Sequence, residues 1–128
     1  MEAKDPLNVI VTGVGGQGNV LIAQLIGRVL VAAGHHVTIG ETYGASQRGG
    51  AVMSHLRISH DAQYGPLIPE GGAHVIVGLE PLETLRVLAQ YGNQEVTVIA
   101  NSRPIQPLAV TTGAAQVPAH GTARRSVP

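Results

Sequence analysis

The sequence predicts an α/β domain with an open, mostly parallel sheet and flanking helices. Short runs of β-branched apolar residues alternate along the chain with longer segments that are apolar at the helical period. A cluster of glycines separates the first strand from the first helix, as in a strand–turn–helix unit. Aromatic residues make up only 2% of the chain, so the core has to be aliphatic.

The first strand and the first helix lie within residues 9–33. Val9–Thr12 is a short apolar run that is typical of a buried strand. The helix is predicted from about Gln17 to Ala33, and Gly34 is suited to end it. Its apolar residues recur at the helical period, which predicts one wide buried face formed by Ile22, Leu25, Ile26, Val29, Leu30 and Ala33.

The second strand is predicted at His36–Glu41. Gly40 within this strand indicates either a bulge or the close approach of another backbone segment. Strand, helix and strand would then form one parallel, right-handed βαβ unit. The stretch TYGASQRGG at 42–50 is small, polar and glycine-rich, and it predicts a loop.

The rest of the predicted domain contains one more helix and three more strands. Alternating or apolar runs predict the strands at 51–59, 75–79 and 95–100. The helix begins at Pro81, whose missing N–H costs nothing at that position, and it ends at Gly92. Its apolar face is predicted to contain Leu82, Leu85, Leu88 and Ala89.

The composition changes near residue 110, and this change divides the chain into two parts. Residues 7–110 form the predicted domain, and residues 111–128 are predicted to be an irregular or disordered tail because they show no periodicity. Two helices cannot cover both faces of a sheet of at least four strands. We therefore expect some apolar sheet surface to be left bare.

The glycine turn is the first candidate site. Gly13, Gly15 and Gly18 have the G-x-G-x-x-G spacing of a dinucleotide-binding turn, although a turn that only connects two elements fits as well. In an open parallel sheet, ligands bind beyond the carboxyl ends of the strands. The candidate ligand-binding or interface residues at that edge are Gly13, Gly15, Gly16, Gln17, Gly18, Glu41, Ser46, Gln47, Arg48, Gly49 and Gly50.

Two charged residues of this set each allow two interpretations. Glu41 could accept a hydrogen bond from a ribose hydroxyl, or it could be a surface carboxylate paired with Arg48 or a backbone N–H. The sequence context favours the second role. Arg48 could hold a carboxylate or a phosphate through two hydrogen bonds, or it could form a salt bridge to another loop or subunit.

The composition argues against several classes of protein. The formal net charge is zero and the body of the chain has no basic run, so neither nucleic acid nor a membrane surface is expected as a partner. The chain contains no cysteine, and the spacing of its six histidines does not indicate a metal site. No catalytic residue can be assigned. The first residues show no secretory signal, so a cytoplasmic location is predicted.

Five ordered motifs resemble the gamma-type subunit or domain of 2-oxoacid:ferredoxin oxidoreductases, and most closely the small (beta) subunit of indolepyruvate:ferredoxin oxidoreductase. The resemblance covers about Asn8 to Pro118. Family members continue for several elements after the loop at 101–107, so the sheet is expected to be incomplete at its C-terminus and the chain truncated. The motifs are GVGGQG at 13–18, ETYGASQRGG at 41–50, SHLRIS at 54–59, PLIPEGGA at 66–73 and LEPLETLR at 79–86.

The resemblance implies a subunit of an enzyme that oxidatively decarboxylates a 2-oxoacid, in this case indolepyruvate or another arylpyruvate, to an acyl-CoA. It implies that thiamine diphosphate, Mg and 4Fe-4S clusters are held by a large partner subunit, that coenzyme A is a co-substrate, and that ferredoxin receives the electrons. This chain alone is expected to bind no cofactor, and none of its side chains is assigned a catalytic role.

Two other functions agree with the same residues. One is a self-contained Rossmann domain that binds NAD(P) or FAD through the glycine turn. The other is a non-catalytic fragment that only packs against a partner.

We predict that the isolated chain binds neither iron nor zinc tightly, because it offers no cysteine and no cluster of histidines. Elemental analysis after dialysis is the measurement. Stoichiometric metal in the dialysed protein would contradict this prediction.

Overall fold

The computed structural model describes residues 4–14, 18–43 and 51–101 together with a short strand at 122–126. The predicted elements are confirmed, with their ends shifted by at most a few residues. In chain order the elements are β1 (Leu7–Val14), α1 (Asn19–Ala32), β2 (His36–Tyr43), β3 (Ala51–Ser59), β4 (Val75–Gly78), α2 (Pro81–Tyr91), β5 (Thr97–Asn101) and β6 (Thr122–Ser126).

The strands form one sheet in the order β2-β3-β1-β4-β5-β6. β1 pairs in parallel with β4, and β4 pairs in parallel with β5. β3 pairs antiparallel with both β1 and β2, and β6 pairs antiparallel with β5. Thus β1, β2, β4 and β5 run in one direction, which confirms the α/β class with an open sheet.

The expected βαβ unit of β1, α1 and β2 needs a correction. β2 does run in the same direction as β1, but the two strands are not neighbours because β3 lies between them. The chain turns back after β2 and inserts β3 antiparallel to both. β3 suits this inner position because both of its faces are covered, Leu56 being buried on one face and His55 on the other.

One strand lies in the segment predicted to be an irregular tail. Thr122–Ser126 forms β6 and pairs with β5, which corrects the expectation for these five residues. The pairing is a backbone interaction with a distant strand, and it leaves no periodic pattern in the local sequence. The division of the chain into a domain at 7–110 and a tail at 111–128 stays a prediction.

The buried face of α1 is rotated by part of a turn from the predicted one, of which Ile22, Ile26 and Leu30 are half-buried and pack against the core. The helix buries Asn19, Ala23 and Gly27, whereas Leu25 and Val29 of the predicted face are 52% and 68% exposed. Small residues let the helix axis approach the sheet closely. A Cβ atom on Gly27 would lie only 2.8 Å from Ile39 Cδ1 in β2, so the glycine lets the helix approach the sheet without displacing that side chain.

The buried face of α2 is rotated in the same way. Thr84, Val87 and Tyr91 are buried, whereas Leu82 and Leu85 are 65% and 61% exposed and Ala89 is also exposed. Of the predicted face, only Leu88 packs against the core. The contact of Thr84 with Gly78 at the end of β4 leaves no room for a larger side chain at either position.

The two helices lie on opposite faces of the sheet. Val9 and Val11 of β1 pack with Ala23 of α1, whereas the alternate residue Ile10 packs with Val87 of α2. The loop between β3 and β4 covers much of the rest of the α2 face, where Ile68 is buried. On the α1 face, Val75 and Val77 of β4 are half-buried and Ile99 of β5 is 37% exposed, so apolar sheet surface is left partly bare as expected.

The loop between β3 and β4 is held against the sheet by polar contacts. Arg57 donates through Nε to Asn8 Oδ1 (3.1 Å), and its guanidinium lies over the ring of Tyr64. Asn8 donates in turn through Nδ2 to the carbonyl of Gly72 (2.8 Å), and its backbone N–H donates to His74 Nδ1 (2.8 Å). These contacts fix both ends of the loop.

The backbone of Pro66 in this loop lies directly against Gly40 of β2, where a Cβ atom would overlap the carbonyl oxygen of Pro66. The pairing of β2 with β3 continues without interruption from His36 to Tyr43, so Gly40 marks a close backbone approach and not a bulge.

We predict that Gly40→Ala destabilises the protein by about 2 kcal/mol, because the loop backbone has to move to accommodate the methyl group. Gly65→Ala is the matched control, since a Cβ atom there meets nothing within 4 Å and the expected change is below about 0.5 kcal/mol. Urea unfolding measures both values. Equal effects of the two substitutions would contradict the predicted close contact.

Candidate functional site

The carboxyl ends of β1, β2, β4 and β5 lie at the same edge of the sheet, because these four strands run in one direction. The last residues of the four strands are Val14, Tyr43, Gly78 and Asn101. This edge is where an open α/β sheet ordinarily binds its ligands. The segments that the sequence singled out therefore leave the sheet on one side of the molecule.

The glycine turn lies at this edge between β1 and α1. Gly13 is buried within β1 opposite Val52 of β3. Gly18 is the N-cap of α1 and has a φ of 85°, a conformation that is costly for any residue with a Cβ atom. The Asn19 side chain donates to the carbonyl of Val52 (3.2 Å) and fixes the start of the helix on the sheet. Gly15, Gly16 and Gln17 lie outside the described residues.

Glu41 lies far from this turn. It is exposed on the edge strand β2 opposite Ser54 of β3. Neighbouring strands are about 4.8 Å apart, so the inserted β3 places β2 about 10 Å from β1. This separation favours the surface role of Glu41 over contact with a ribose held at the turn. Its proposed partner Arg48 lies outside the described residues, as do Ser46, Gln47, Gly49 and Gly50.

A cavity of about 320 Å³ lies at the same edge between α2 and the sheet. Its floor contains Thr12, Met53 and Thr42, which stand opposite one another on β1, β3 and β2 and form one row across three strands. Side chains that share such a row lie about 5 Å from their neighbours. The other lining residues are Tyr43 of β2 and, from α2, Glu83, Arg86, Val87, Gln90 and Tyr91.

His55 lies beside this floor and is fully buried. Its Nδ1 accepts a hydrogen bond from the N–H of Ile68 (3.2 Å), and its Nε2 is 3.4 Å from Thr42 Oγ1. The Tyr91 ring meets the imidazole edge to face at 5.5 Å. Burial lowers the pKa of His55, so the neutral ring is the favoured form. Because Nδ1 is an acceptor, the proton of the neutral ring is on Nε2, which donates to Thr42.

Unlike His55, Thr12 makes no side-chain hydrogen bond within the described part of the chain. Its side chain is almost completely buried. A buried hydroxyl without a partner is unfavourable, so most buried hydroxyl groups in proteins are paired. Thr12 and Thr42 were not among the residues predicted to bind a ligand. They lie in one row on either side of Met53, and this arrangement follows from the insertion of β3 between β1 and β2, for which the local sequence gives no signal.

Glu80 has a structural role at this edge. Its carboxylate Oε2 accepts the backbone N–H of Glu83 (2.8 Å) at the start of α2, and its carbonyl accepts the Thr84 hydroxyl (2.7 Å). Glu80 is therefore the N-cap of α2, and Pro81 follows it at the first helical position.

The part of the chain that the structure describes brings together no three His, Asp or Glu side chains that could hold a metal ion. The complete sequence has no cysteine, so it offers no thiolate for an iron–sulfur cluster. Neither of the helices among the described residues is long and apolar enough to cross a membrane.

The fold and the polar edge of the sheet define an α/β domain with an open sheet, and comparison with known proteins gives its family. A family model described as pyruvate ferredoxin/flavodoxin oxidoreductase matches residues 8–127. The chain belongs to this family. The matched range includes most of the segment predicted to be a tail.

The relatives of this chain include the indolepyruvate oxidoreductase subunit IorB of Archaeoglobus fulgidus. It is 48% identical over 112 residues, which make up 88% of this chain and 54% of that protein. The chain spans about half the length of the curated relatives that it matches, with shares between 50% and 58%. The resemblance inferred from the five motifs is thereby confirmed.

Two solved structures share the fold. One is a 2-oxoglutarate:ferredoxin oxidoreductase from Magnetococcus marinus with 2-oxoglutarate, coenzyme A and succinyl-CoA bound. It has a TM-score of 0.66 at 20% identity, and the match covers 82% of this chain and 18% of that chain. The gamma subunit of a keto/oxoacid ferredoxin oxidoreductase from Geobacter sulfurreducens has a TM-score of 0.58 at 22% identity, over 75% of this chain and 51% of that chain.

We predict that the protein loses stability in acid partly through His55. Burial lowers the folded-state pKa of His55 below its unfolded value of about 6.5, so its contribution is fully present above that pH and is lost as the pH falls through the folded-state pKa. The pKa of His74 is also lowered by burial and contributes in the same direction.

Urea unfolding at about pH 7 and about pH 5 measures this loss. His55→Gln should reduce the difference between the two pH values, whereas the exposed control His36→Gln should leave it unchanged. An unchanged pH dependence in His55→Gln would contradict the assignment.

Proposed function

We propose that this chain is a gamma-type component of a 2-oxoacid:ferredoxin oxidoreductase that acts on indolepyruvate or other arylpyruvates. The observation that carries the proposal is the family match over residues 8–127 together with 48% identity to a subunit named indolepyruvate oxidoreductase subunit IorB. The overall reaction would convert the 2-oxoacid and coenzyme A to an acyl-CoA and carbon dioxide, with the two electrons passing to ferredoxin.

The chemistry of this reaction would take place on cofactors that a large partner subunit holds. Thiamine diphosphate with Mg supplies the decarboxylation, and 4Fe-4S clusters carry the electrons. The residues of this chain do not fit an iron–sulfur cluster, because the sequence has no cysteine. We accordingly assign no chemical step to a side chain of this protein. A cytoplasmic location is part of the proposal.

The surface of the described residues supports a role in an assembly. Leu21, Leu25 and Val29 follow one another at four-residue intervals along α1, and all three are more than half exposed. Leu82 and Leu85 are exposed on α2, on the opposite face of the sheet. Apolar helix faces of this kind are typical of surfaces that another chain or domain covers. The turn at 13–18 and the segment 46–50 are the proposed ligand-binding or interface segments.

The insertion of β3 weighs against the alternative of a self-contained NAD(P)- or FAD-binding domain. In a dinucleotide-binding fold, an acidic residue at the end of the second strand holds the ribose of a cofactor seated at the glycine turn. Here one strand separates Glu41 from that turn. The other alternative, a non-catalytic interaction fragment, agrees with the exposed helix faces, and only an activity measurement distinguishes it from the proposal.

The test is co-expression of this chain with the large thiamine-diphosphate subunit encoded by the same genome. We expect the two to co-purify and the pair to reduce ferredoxin in the presence of indolepyruvate and coenzyme A, with activity well above that of the large subunit alone. Co-purification without a gain in activity would support the interaction fragment. Failure to co-purify, combined with saturable binding of NAD(P)H or FAD to this chain, would support the Rossmann alternative.

A further inference from the structure

Strand β2 forms one edge of the sheet. It pairs with β3 over all eight of its residues, and no strand among the described residues pairs with its other side. Every second residue of such a strand directs its N–H and C=O groups away from the sheet, where another strand can pair with them. Proteins ordinarily protect an edge strand with proline, lysine or a bulge. The sequence HVTIGETY of β2 contains neither proline nor lysine, and its pairing with β3 has no bulge.

The protection that the structure does provide covers the beginning of β2. Gln63 donates through Nε2 to the carbonyl of Val37 (3.0 Å) and to the Thr38 hydroxyl (3.0 Å). In the described part of the chain, no side chain hydrogen-bonds to the backbone of β2 between Ile39 and Tyr43. The second half of the strand is therefore the part that is most open to another strand.

A groove runs beside this edge, between β2 and α1, and has a volume of about 480 Å³. Its apolar side chains include Val31 of α1, which is 56% exposed, and Ile39 of β2, which is 37% exposed. A strand added to β2 would direct every second side chain into this groove. The edge and the groove together thus suit an extended strand, which gains backbone hydrogen bonds from one and apolar contacts from the other. The groove is lined by Gln24, Gly27, Arg28, Val31, Ala32, Val37 and Ile39.

The charges on this surface indicate which strand fits it. Arg28 is exposed, is the only charged residue of α1, and lines the groove beside Val37 and Ile39. Glu41 is exposed two residues beyond Ile39 on the same face of β2. Neither Arg28 nor Glu41 forms an ion pair among the described residues. A surface with a cation beside the beginning of a strand and a carboxylate near its end is complementary to a second copy of itself in the antiparallel direction.

We propose that β2 is an interface at which two copies of this chain pair antiparallel, about a two-fold axis perpendicular to the sheet. The sheet then continues from one copy into the other, and both α1 helices lie on the same face. Because the two strands run in opposite directions, the end of β2 that carries Glu41 lies against the beginning of the other β2, beside Arg28. The two-fold symmetry forms this ion pair twice. The pairing uses only residues of this chain and does not depend on the proposed oxidoreductase function.

Reversal of the two charges tests the pairing in the full chain by sedimentation velocity. We expect the unchanged chain to dimerise reversibly with a dissociation constant on the order of 10 μM, because one strand pair and one groove make a small interface. Glu41→Arg places two cations at each contact, and Arg28→Glu places two carboxylates there. Each variant should weaken dimerisation about tenfold or more, because like charges then face each other. Both residues are exposed, so neither substitution should impair folding.

A mixture of the two variants separates this interface from others. An equimolar mixture of Glu41→Arg and Arg28→Glu should form a heterodimer about as tightly as the unchanged chain, since both ion pairs are then restored. The double variant should again pair with itself. Glu95→Arg and Arg86→Glu are the matched controls, because they change the net charge equally at exposed residues away from β2. We expect each control to dimerise as the unchanged chain does, and their mixture to show no gain.

Amide hydrogen exchange identifies the strand that pairs. Alternate amides of β2 should exchange more slowly in the dimer than in the Glu41→Arg variant, whereas the amides of β4, an inner strand, should exchange equally in both. An unchanged chain that stays monomeric to about 500 μM would overturn the proposal. Dimerisation that is equal in all variants would also overturn it, because another surface would then hold the dimer. If a co-expressed large subunit protects the same amides in a complex with one copy of this chain, the edge belongs to that partner and the second copy is wrong.

Discussion

The position of β3 between β1 and β2 is the constraint on which most of this structure depends. β3 pairs with both neighbours along nearly its full length, and its alternating side chains serve two different layers. Leu56 and Ile58 pack in the cluster beneath α1, whereas His55 and Arg57 bind the loop that covers the other face. A shift of one residue in this pairing would exchange the two sets, burying Arg57 under the helix and losing the contacts of the loop. The register of one strand therefore fixes both layers.

Close approach of the helices to the sheet is the second feature that shapes the molecule. Both helices pack closer to the sheet than leucine side chains would allow. Gly27 makes this possible for α1, and the contact of Gly78 with Thr84 makes it possible for α2. The larger residues are displaced to the outside, which explains why Leu25 and Leu85 are exposed in a chain with few charges. Such an arrangement has a physical advantage only when something covers the leucines, because exposed apolar patches otherwise promote nonspecific association. The short distance to the sheet and the apolar exterior are thus two consequences of the same packing.

Structural features that depend on neighbouring residues could be predicted from the sequence, whereas features that depend on contacts between distant residues could not. The strand at 51–59 and the helix beginning at Pro81 follow from local alternation, proline and glycine, and their bounds are reproduced closely. Helical periodicity did reveal the helices, but it favoured leucine over alanine and glycine, so it predicted the buried face of α1 only in part and missed most of that of α2. Nothing near Thr122–Ser126 indicates that this segment pairs with β5. The candidate site shows the same contrast: the glycine turn is visible as a motif, whereas the row of Thr12, Met53 and Thr42 follows only from the sheet order.

A buried hydroxyl on Thr12 costs about 1–3 kcal/mol when it has no partner, and valine would fill the same space without that cost. Among the described residues the Thr12 hydroxyl has no partner, and the same is true of the buried Ser54 hydroxyl on the other face of the sheet. Thr12 lies near the carboxyl edge of the sheet, in one row with Met53 and Thr42, and it is one of several buried polar residues, among them Ser54 and His55. Most of the buried polar side chains lie along the strands, whereas most of the exposed apolar residues lie on the outer sides of α1 and α2, so the surfaces open to a partner chain are separate from the polar positions of the core.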